Sequence, residues 1–413
     1  MIVTLSYRHP TMDIKGEINN YLEGKCVILG VTGSVAIYRA IDTARWLIRR
    51  GAYVKTVMTS EAAKLVTPQL FHWATGEKPL VEFSGDTEHI GLARECDSML
   101  VAPATLSTLS KIAYGIVDNP VALTAISILG YGKPLLLVPA MHGNMYSTPH
   151  YKHVINRLEE VGAVIIPPKI ESGVARYPEP WIVGRITAAL TYNGRDMLGT
   201  RILVTAGATR EWLDKVRFLS NPSSGRMGVE VGLEAWARGS IVDLVHGVMG
   251  IDVPHVFNRY KTESTSDMAS KVRELTTDRY DAFVASAAPV DFTPSKRFTG
   301  KLKSGISVEV EFKPTPKVIE AIRSRPIVLV AFAAETTNNL EELEKLALEK
   351  LDKYNADYVV ANIVGVPDAG FGSEYSRAII IDKERSIHFK GKTHKEILAR
   401  IIIDLIKRSL RNT

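Results

Sequence analysis

Residues 201–228 read RILVTAGATREWLDKVRFLSNPSSGRMG, and this stretch decides the fold. Its first six residues form a mostly apolar, partly β-branched run of strand type. Gly207-Ala208-Thr209 then turns the chain, and Ser220-Asn221-Pro222-Ser223-Ser224-Gly225 lays small polar groups in front of a helix. Strand, small-residue turn and helix together open a parallel βαβ unit, in which glycine lets backbone N–H groups approach an anion. Downstream, further strands are predicted at 241–246, 282–286, 327–331 and 357–361, with helices between several of them. A late pair, 378–382 and 386–389, reads as antiparallel, and a helix over 393–410 closes the chain.

The same rhythm fills the upstream half. The run KCVILGV (25–31) ends in Thr32-Gly33-Ser34, and Ala36, Ile37, Ala40, Ile41, Ala44 and Leu47 follow at helical spacing. Strands are predicted at 52–58, 98–102, 134–139 and 163–167. The polar segment YNGRD (192–196) sets a linker at 191–199 between a domain at 25–190 and another at 200–413. Residues 1–24 read as a loose arm or short helix, with Met12 an alternative start. The fold class is α/β, with two Rossmann-like parallel-sheet domains.

Composition narrows the function classes. The 413 residues carry 51 Lys and Arg against 45 Asp and Glu, a formal charge of +6 that suits phosphorylated ligands. The basic residues are scattered, without an arginine-rich tract or zinc-finger spacing, which argues against nucleic-acid binding. No apolar run reaches the roughly 18 residues that a membrane span needs, and the N-terminal stretch lacks the pattern of a secretory signal. Cys26 and Cys96 read as two buried thiols, in keeping with a reducing, cytoplasmic location.

Neither glycine turn is a full G-x-G-x-x-G, and the P-loop lysine is missing, so each alone reads as a tight βα turn. The neighbours change that reading in the second half. Arg210, Lys215 and Arg217 lead into the hydroxyl-rich run ending at Arg226, a density of anion-binding groups that a surface turn does not need. The Lys- and Glu-rich stretch 339–356 reads chiefly as a solvated helix face.

These residues resemble a known family. VTAGATRE and DKVRFLSNPSSGRMG, followed by ASAAPVDFTP (285–294), KLK (301–303), KPTP (313–316), VAFAAET (330–336) and ADYVVAN (356–362), resemble the ligase half of the bifunctional phosphopantothenoylcysteine synthetase/decarboxylases of coenzyme A synthesis. GVTGSVAIYRA (30–40), MTSEAAKLV (58–66), HIGLAREC (89–96), APATLSTLSKIAYGIVDN (102–119) and PAMHGNMY (139–146) resemble their flavoprotein decarboxylase half. The match covers the chain from Lys25 onward.

For the ligase, the resemblance implies that 4′-phosphopantothenate is activated by a nucleotide, CTP favoured over ATP, with Mg2+, and that cysteine displaces the monophosphate. It puts Asn221 on the acyl intermediate or substrate, Ser223, Ser224 and Gly225 on phosphate, and Asp291 near the base or sugar. Lys301 falls at the nucleotide phosphates, Phe332 and Lys350 are nucleotide contacts, and Gly207 and Arg217 join the binding set. Lys353 is a further candidate, although Tyr354 stands where the family has another lysine.

For the decarboxylase, the resemblance implies FMN, which oxidises the thiol side of the substrate so that the electrons of the broken C–C bond have a sink. His89 matches the family's base, and the FMN contacts fall on Gly33, Ser34, Ser60, Pro103, Ala104, Thr105 and Thr108. The family implies homo-oligomers, trimeric through the flavoprotein and dimeric through the ligase, combining to a dodecamer. Two departures stand out. His142 replaces an asparagine that grips the substrate carboxylate, and the flap ESGVARYPEPW (171–181) lacks the family's cysteine. Tyr177 or His142 as the substitute acid, a donor elsewhere, and a flavoprotein that does not complete decarboxylation all remain open. A flavin prenyltransferase or non-catalytic first half, and a nicotinamide oxidoreductase second half, are the rival readings.

Overall fold

The uninterrupted apolar runs of the first half become strands because both faces of their sheet are covered by helices, which leaves no solvent side for polar residues. In the computed structural model, which describes residues 9–171, 173–305, 307–337, 339–366 and 369–411, the chain divides into two units, Met1–Arg195 and Asp196–Thr413. The first holds a five-stranded parallel sheet of β1 (Cys26–Val31), β2 (Tyr53–Met58), β3 (Ser98–Ala104), β4 (Leu135–Pro139) and β5 (Val164–Ile165). Their spatial order is β2-β1-β3-β4-β5, so strand order reverses between β1 and β3. Val27 lies opposite both Val54 and Ser98. Helix α1 (Tyr38–Ile48) buries Ala40, Ala44 and Leu47 of the face that the spacing predicts, with Thr43 and Ile48 beside them, while Ile41 is half-buried.

Three expectations change here. The segment before β1 holds a short helix, Pro10–Asp13, as one of its two readings had it, but it is no loose arm: Tyr21 and Leu22 are buried, Leu22 N–H donates to Arg50 O at 2.7 Å, and Thr11 Oγ1 donates to Trp73 O at 2.7 Å. Residues 1–8 lie outside the described residues. Cys26 and Cys96 are not free thiols but a disulfide, with Cα atoms 4.5 Å apart. The pairing of Val27 with Ser98 brings the two ends together across 70 residues of sequence, a proximity that only sheet topology reveals. The stretch beginning at 191 is helical as far as Asn193, the end of the helix Pro180–Asn193.

The second unit is built on an eight-stranded sheet: β6 (Arg201–Ala206), β7 (Ile241–His246), β8 (Asn258–Lys261), β9 (Ala282–Ala285), β10 (Val328–Glu335), β11 (Tyr358–Ile363), β12 (Tyr375–Asp382) and β13 (Ile387–His394). The order is β8-β7-β6-β9-β10-β11-β12-β13, parallel through β11 and antiparallel beyond it. Strand order reverses between β6 and β9. Two small hairpins, Arg210–Trp212 with Phe218–Ser220 and Phe292–Pro294 with Phe312–Pro314, lie against each other outside the main sheet.

Three further helices matter below: α2 (Glu88–Glu95) and α3 (Leu106–Tyr114) in the first unit, then α4 (Arg226–Ala237) in the second. The chain ends in α5 (Lys395–Arg411), which packs on α4. Buried Arg238 ties this packing together through Asp196 at 2.7 and 2.9 Å, Asp404 at 2.6 Å and Glu234 at 3.4 Å, while Lys407 also pairs with Asp196.

Candidate functional site

Both strand-order reversals create a crevice beyond the carboxyl ends of parallel strands, where ligands of open α/β sheets bind. In the first unit the turns after β1 and β3 are clamped together by one hydroxyl. Thr32 Oγ1 donates to Pro103 O at 2.7 Å and accepts Thr105 N–H at 3.1 Å. Ser34 Oγ accepts Ala36 N–H at 3.4 Å, Thr59 caps the helix that starts at Ser60, and Thr105 caps α3 while its hydroxyl meets that of Thr108 at 3.2 Å. Gly33 sits so close to Glu61 that an added Cβ would come within 2.8 Å of its Cβ.

Gly33, Ser34, Ser60, Pro103, Ala104, Thr105 and Thr108 therefore share the carboxyl edge of one sheet. Hydroxyls and helix starts at close backbone approach fit the phosphate end of FMN. His89, second residue of α2, packs edge-on to Phe83 at 5.3 Å between ring centroids. Its Nδ1 is buried and has no hydrogen-bond partner among the described residues. An unpaired buried nitrogen costs about 1–3 kcal/mol.

His142 and Tyr177 part company. The short strand Met141–His142 pairs with Val174–Arg176 of the flap, bringing exposed His142 opposite Val174. His142 Nδ1 accepts Asn144 N–H at 3.4 Å. Tyr177 is buried instead, its hydroxyl 2.8 Å from Thr43 Oγ1 on α1, and burial pushes the phenol well above its ordinary pKa. Ser172 of the flap lies outside the described residues.

In the second unit a cleft of about 390 Å³ opens across the carboxyl ends of β6, β9, β10 and β11. Its rim is the start of α4. Gly225 caps the helix at φ 76°, Ser223 Oγ accepts Gly225 N–H at 3.3 Å, and Ser224 Oγ accepts Arg226 N–H at 3.4 Å. Asn221 Nδ2 donates to Ala288 O at 3.1 Å and Pro289 O at 3.0 Å, tying the rim to the turn after β9. Opposite stand Asp291 and Lys317, joined at 2.6 Å, a bond that raises the lysine pKa. Lys350 lies 3.8 Å from Glu335, and Phe332, Tyr354 and Phe371 add aromatic surface. A helix start, cationic side chains and aromatic walls can together hold a phosphate chain and a planar base.

The cleft thus brings together Asn221, Ser223, Ser224, Gly225, Asp291, Phe332 and Lys350, but Gly207, Arg217, Lys301 and Lys353 do not line it. Gly207 acts behind it, at φ 78°, where a Cβ would come within 2.5 Å of Val248 O. Arg217 pairs with buried Asp214 at 2.8 Å and donates to Leu302 O at 3.1 Å. Leu302, Arg217 and Val216 N–H groups all donate to Asp214, which holds that carboxyl far below the usual carboxylate range. This knot anchors the exposed segment carrying Lys301. Arg210 turns away, stacking 4.3 Å from the Phe218 ring and lining a separate hollow with His246 and Lys261. Lys353 stacks near Tyr354 at 5.5 Å. The positive charge at the cleft comes from Arg226, Lys317 and Lys350, and the amine of Lys395 also lines it. Lys317 directly follows the KPTP motif, a signal that was available in the sequence. Lys395, at a strand-to-helix junction, had none.

Comparison with known proteins matches the two halves of the chain to two different families. Residues 16–190 match the family model described as "Flavoprotein", and residues 197–410 match that of the "DNA/pantothenate metabolism flavoprotein C-terminal domain". The chain is 36% identical to the coenzyme A biosynthesis bifunctional protein CoaBC of Thermococcus kodakarensis over 92% of its own length and 94% of that protein. It is likewise 36% identical to CoaBC of Methanocaldococcus jannaschii, over 95% and 96% of the two chains. CoaBC of Bacillus subtilis is 30% identical over 88% of this chain and 92% of that one. With both halves matched in order and at nearly full length, the chain belongs to the CoaBC family of bifunctional coenzyme A biosynthesis proteins.

Proposed function

We propose that the second unit joins 4′-phosphopantothenate to cysteine through an acyl nucleotide, with CTP favoured over ATP, and that the first unit decarboxylates 4′-phosphopantothenoylcysteine to 4′-phosphopantetheine with FMN. The observation that carries this reading is the cleft at the β6/β9 reversal, where an anion-binding helix start faces Asp291, Lys317, Phe332 and Lys350. Activating a carboxylate by nucleotidyl transfer is mostly electrostatic work: the triphosphate must be neutralised and the carboxylate held in line. Ser223, Ser224 and the N–H groups at the start of α4 hold phosphate, Asn221 fixes the acyl group, and Lys317 and Lys350 neutralise the nucleotide. Lys301 reaches the phosphates from the segment that Asp214 and Arg217 anchor. The reading includes Mg2+, which would help to neutralise the triphosphate.

In the first unit, bound FMN supplies the two-electron oxidation that lets carbon dioxide leave. Ser34, Ser60, Thr105 and Thr108 hold its phosphate end, and His89 takes the thiol proton. Completing the reaction would take return of the hydride from the reduced cofactor together with a proton, and His142 is the proposed proton donor, Tyr177 being buried against Thr43. A second reading, a first unit that stops at the unsaturated thiol, is favoured by the flap's lack of cysteine. Wild-type protein given phosphopantothenoylcysteine separates the two. Phosphopantetheine from the wild type but enethiol from His142→Asn supports the first reading, whereas enethiol alone from the wild type supports the second.

Self-association is part of the proposal, supported by exposed Val35 and Tyr38 in the first unit and by Phe218, Leu219, Phe292 and Phe312 on the paired hairpins of the second. The dodecamer and the cytoplasmic location rest on the family alone, since the Cys26–Cys96 bond removes the thiol argument.

A further inference from the structure

Amide formation needs a group to take a proton, and this inference rests on the ligase reading above. Cysteine arrives as an ammonium, and only its neutral amine can attack an acyl carbon. Asp291 and Glu335 of the cleft already face lysines, and the remaining groups with proposed roles are amides, hydroxyls and cations. One amine in the wall is different.

Lys395, first residue of α5, is 6% exposed and lines the cleft beside Phe371 and Ser376. Its Nζ donates to Gly370 O at 2.9 Å and Ser373 O at 2.5 Å. The charged and titratable groups around it are Arg226 and Glu230 on α4, Glu374 in the preceding turn, His394 at the end of β13 and Glu396 on α5. Glu230 is engaged by Arg226 at 2.7 Å, and Glu374 lies 4.0 Å from the same guanidinium. Burial first, and Arg226 second, bring the Lys395 ammonium down to about 8.

A neutral lysine amine keeps two N–H groups. Both carbonyls stay satisfied when the third proton is gone, and the lone pair takes the remaining tetrahedral position.

We propose that Lys395 is the general base of the amide-forming step, accepting a proton from the cysteine ammonium as its nitrogen attacks the acyl carbon. The C–N bond forms, and the acyl C–O bond to phosphate breaks with its electron pair leaving on the nucleoside monophosphate. The second nitrogen proton goes to the departing phosphate oxygen. Lys395 ends the step as an ammonium on the same two carbonyls.

Two variants of the full chain, Lys395→Met and Lys395→Arg, test this once circular dichroism and melting have established that they fold. Pyrophosphate release from CTP and phosphopantothenate without cysteine should stay within about threefold of wild type in both, while amide formation on adding cysteine falls by about a hundredfold or more. Arginine can donate to both carbonyls but cannot take a proton, so near-normal amide formation by Lys395→Arg would overturn the proposal. Equal loss of both steps in a folded variant would also overturn it. In the wild type, amide formation should climb with pH through about 8 and level off above it. A flat profile contradicts the base. Wild-type protein that released no pyrophosphate from either CTP or ATP would strike the ligase reading and this role with it, whereas normal release with an active Lys395→Arg strikes Lys395 alone.

Discussion

Gly207 shows how much of the ligase cleft depends on a single backbone conformation. At φ 78°, with Val248 O 2.5 Å from a would-be Cβ, it admits no side chain. Gly207→Ala should lower the stability of the second unit by about 1–3 kcal/mol or more and depress nucleotide-dependent activity, while flavin absorbance is kept. Parallel melting and absorbance measurements check this, and loss of both signals would contradict it. Asp214 offers a pH test. Hydrogen bonds from the Leu302, Arg217 and Val216 N–H groups and from the Arg217 side chain hold its folded pKa below the unfolded value. Its stabilising contribution is therefore complete above about pH 4 and lost as pH falls toward the folded value. Asp214→Asn should flatten that acid limb and weaken nucleotide turnover by loosening the segment of Lys301. An unchanged acid limb in a melting series would count against this role.

At the scale of elements, legibility in the sequence followed the hydrophobic pattern. The apolar runs at 25–31, 52–58, 98–102, 201–206 and 241–246 are strands because burial on both faces leaves an unbroken signal. Edge strand Asn258–Lys261 and the hairpins around 210–220 and 292–314 carry no such signal. They are short, largely polar or exposed, and held chiefly by one another. Those hairpins are where Arg210 and Arg217 turn away from the cleft, so an arginine-rich run that reads as a phosphate site serves stacking and anchoring instead. The glycine turn, the serines and Asn221 were legible because a βα turn fixes their position. The Cys26–Cys96 bond and Lys395 were not, since each depends on sequence-distant segments meeting. Helix pairing has its own test. Arg238→Met removes the buried guanidinium that Asp196, Glu234 and Asp404 share, and should cost about 3–5 kcal/mol in a denaturant titration. A loss under 1 kcal/mol, the ordinary size of a surface pair, would show that the network adds little.

Across the whole molecule, two sheets with different strand orders each open a crevice at their own reversal point, and the proposed function gives each crevice its own phosphate-bearing ligand. Separate sites imply separable losses. His89→Asn should retain flavin and lose decarboxylation by about a hundredfold to ten-thousandfold, with ligation untouched. Asn221→Ala should do the converse. The most direct measurement is a mass-spectrometric time course of the purified wild type and these two variants with phosphopantothenate, cysteine, CTP and Mg2+. Phosphopantothenoylcysteine followed by its decarboxylated product from the wild type, accumulation of phosphopantothenoylcysteine with His89→Asn and neither product with Asn221→Ala is the predicted result. A colourless protein that could not be loaded with flavin and left both nucleotide and phosphopantothenate unchanged would contradict the account.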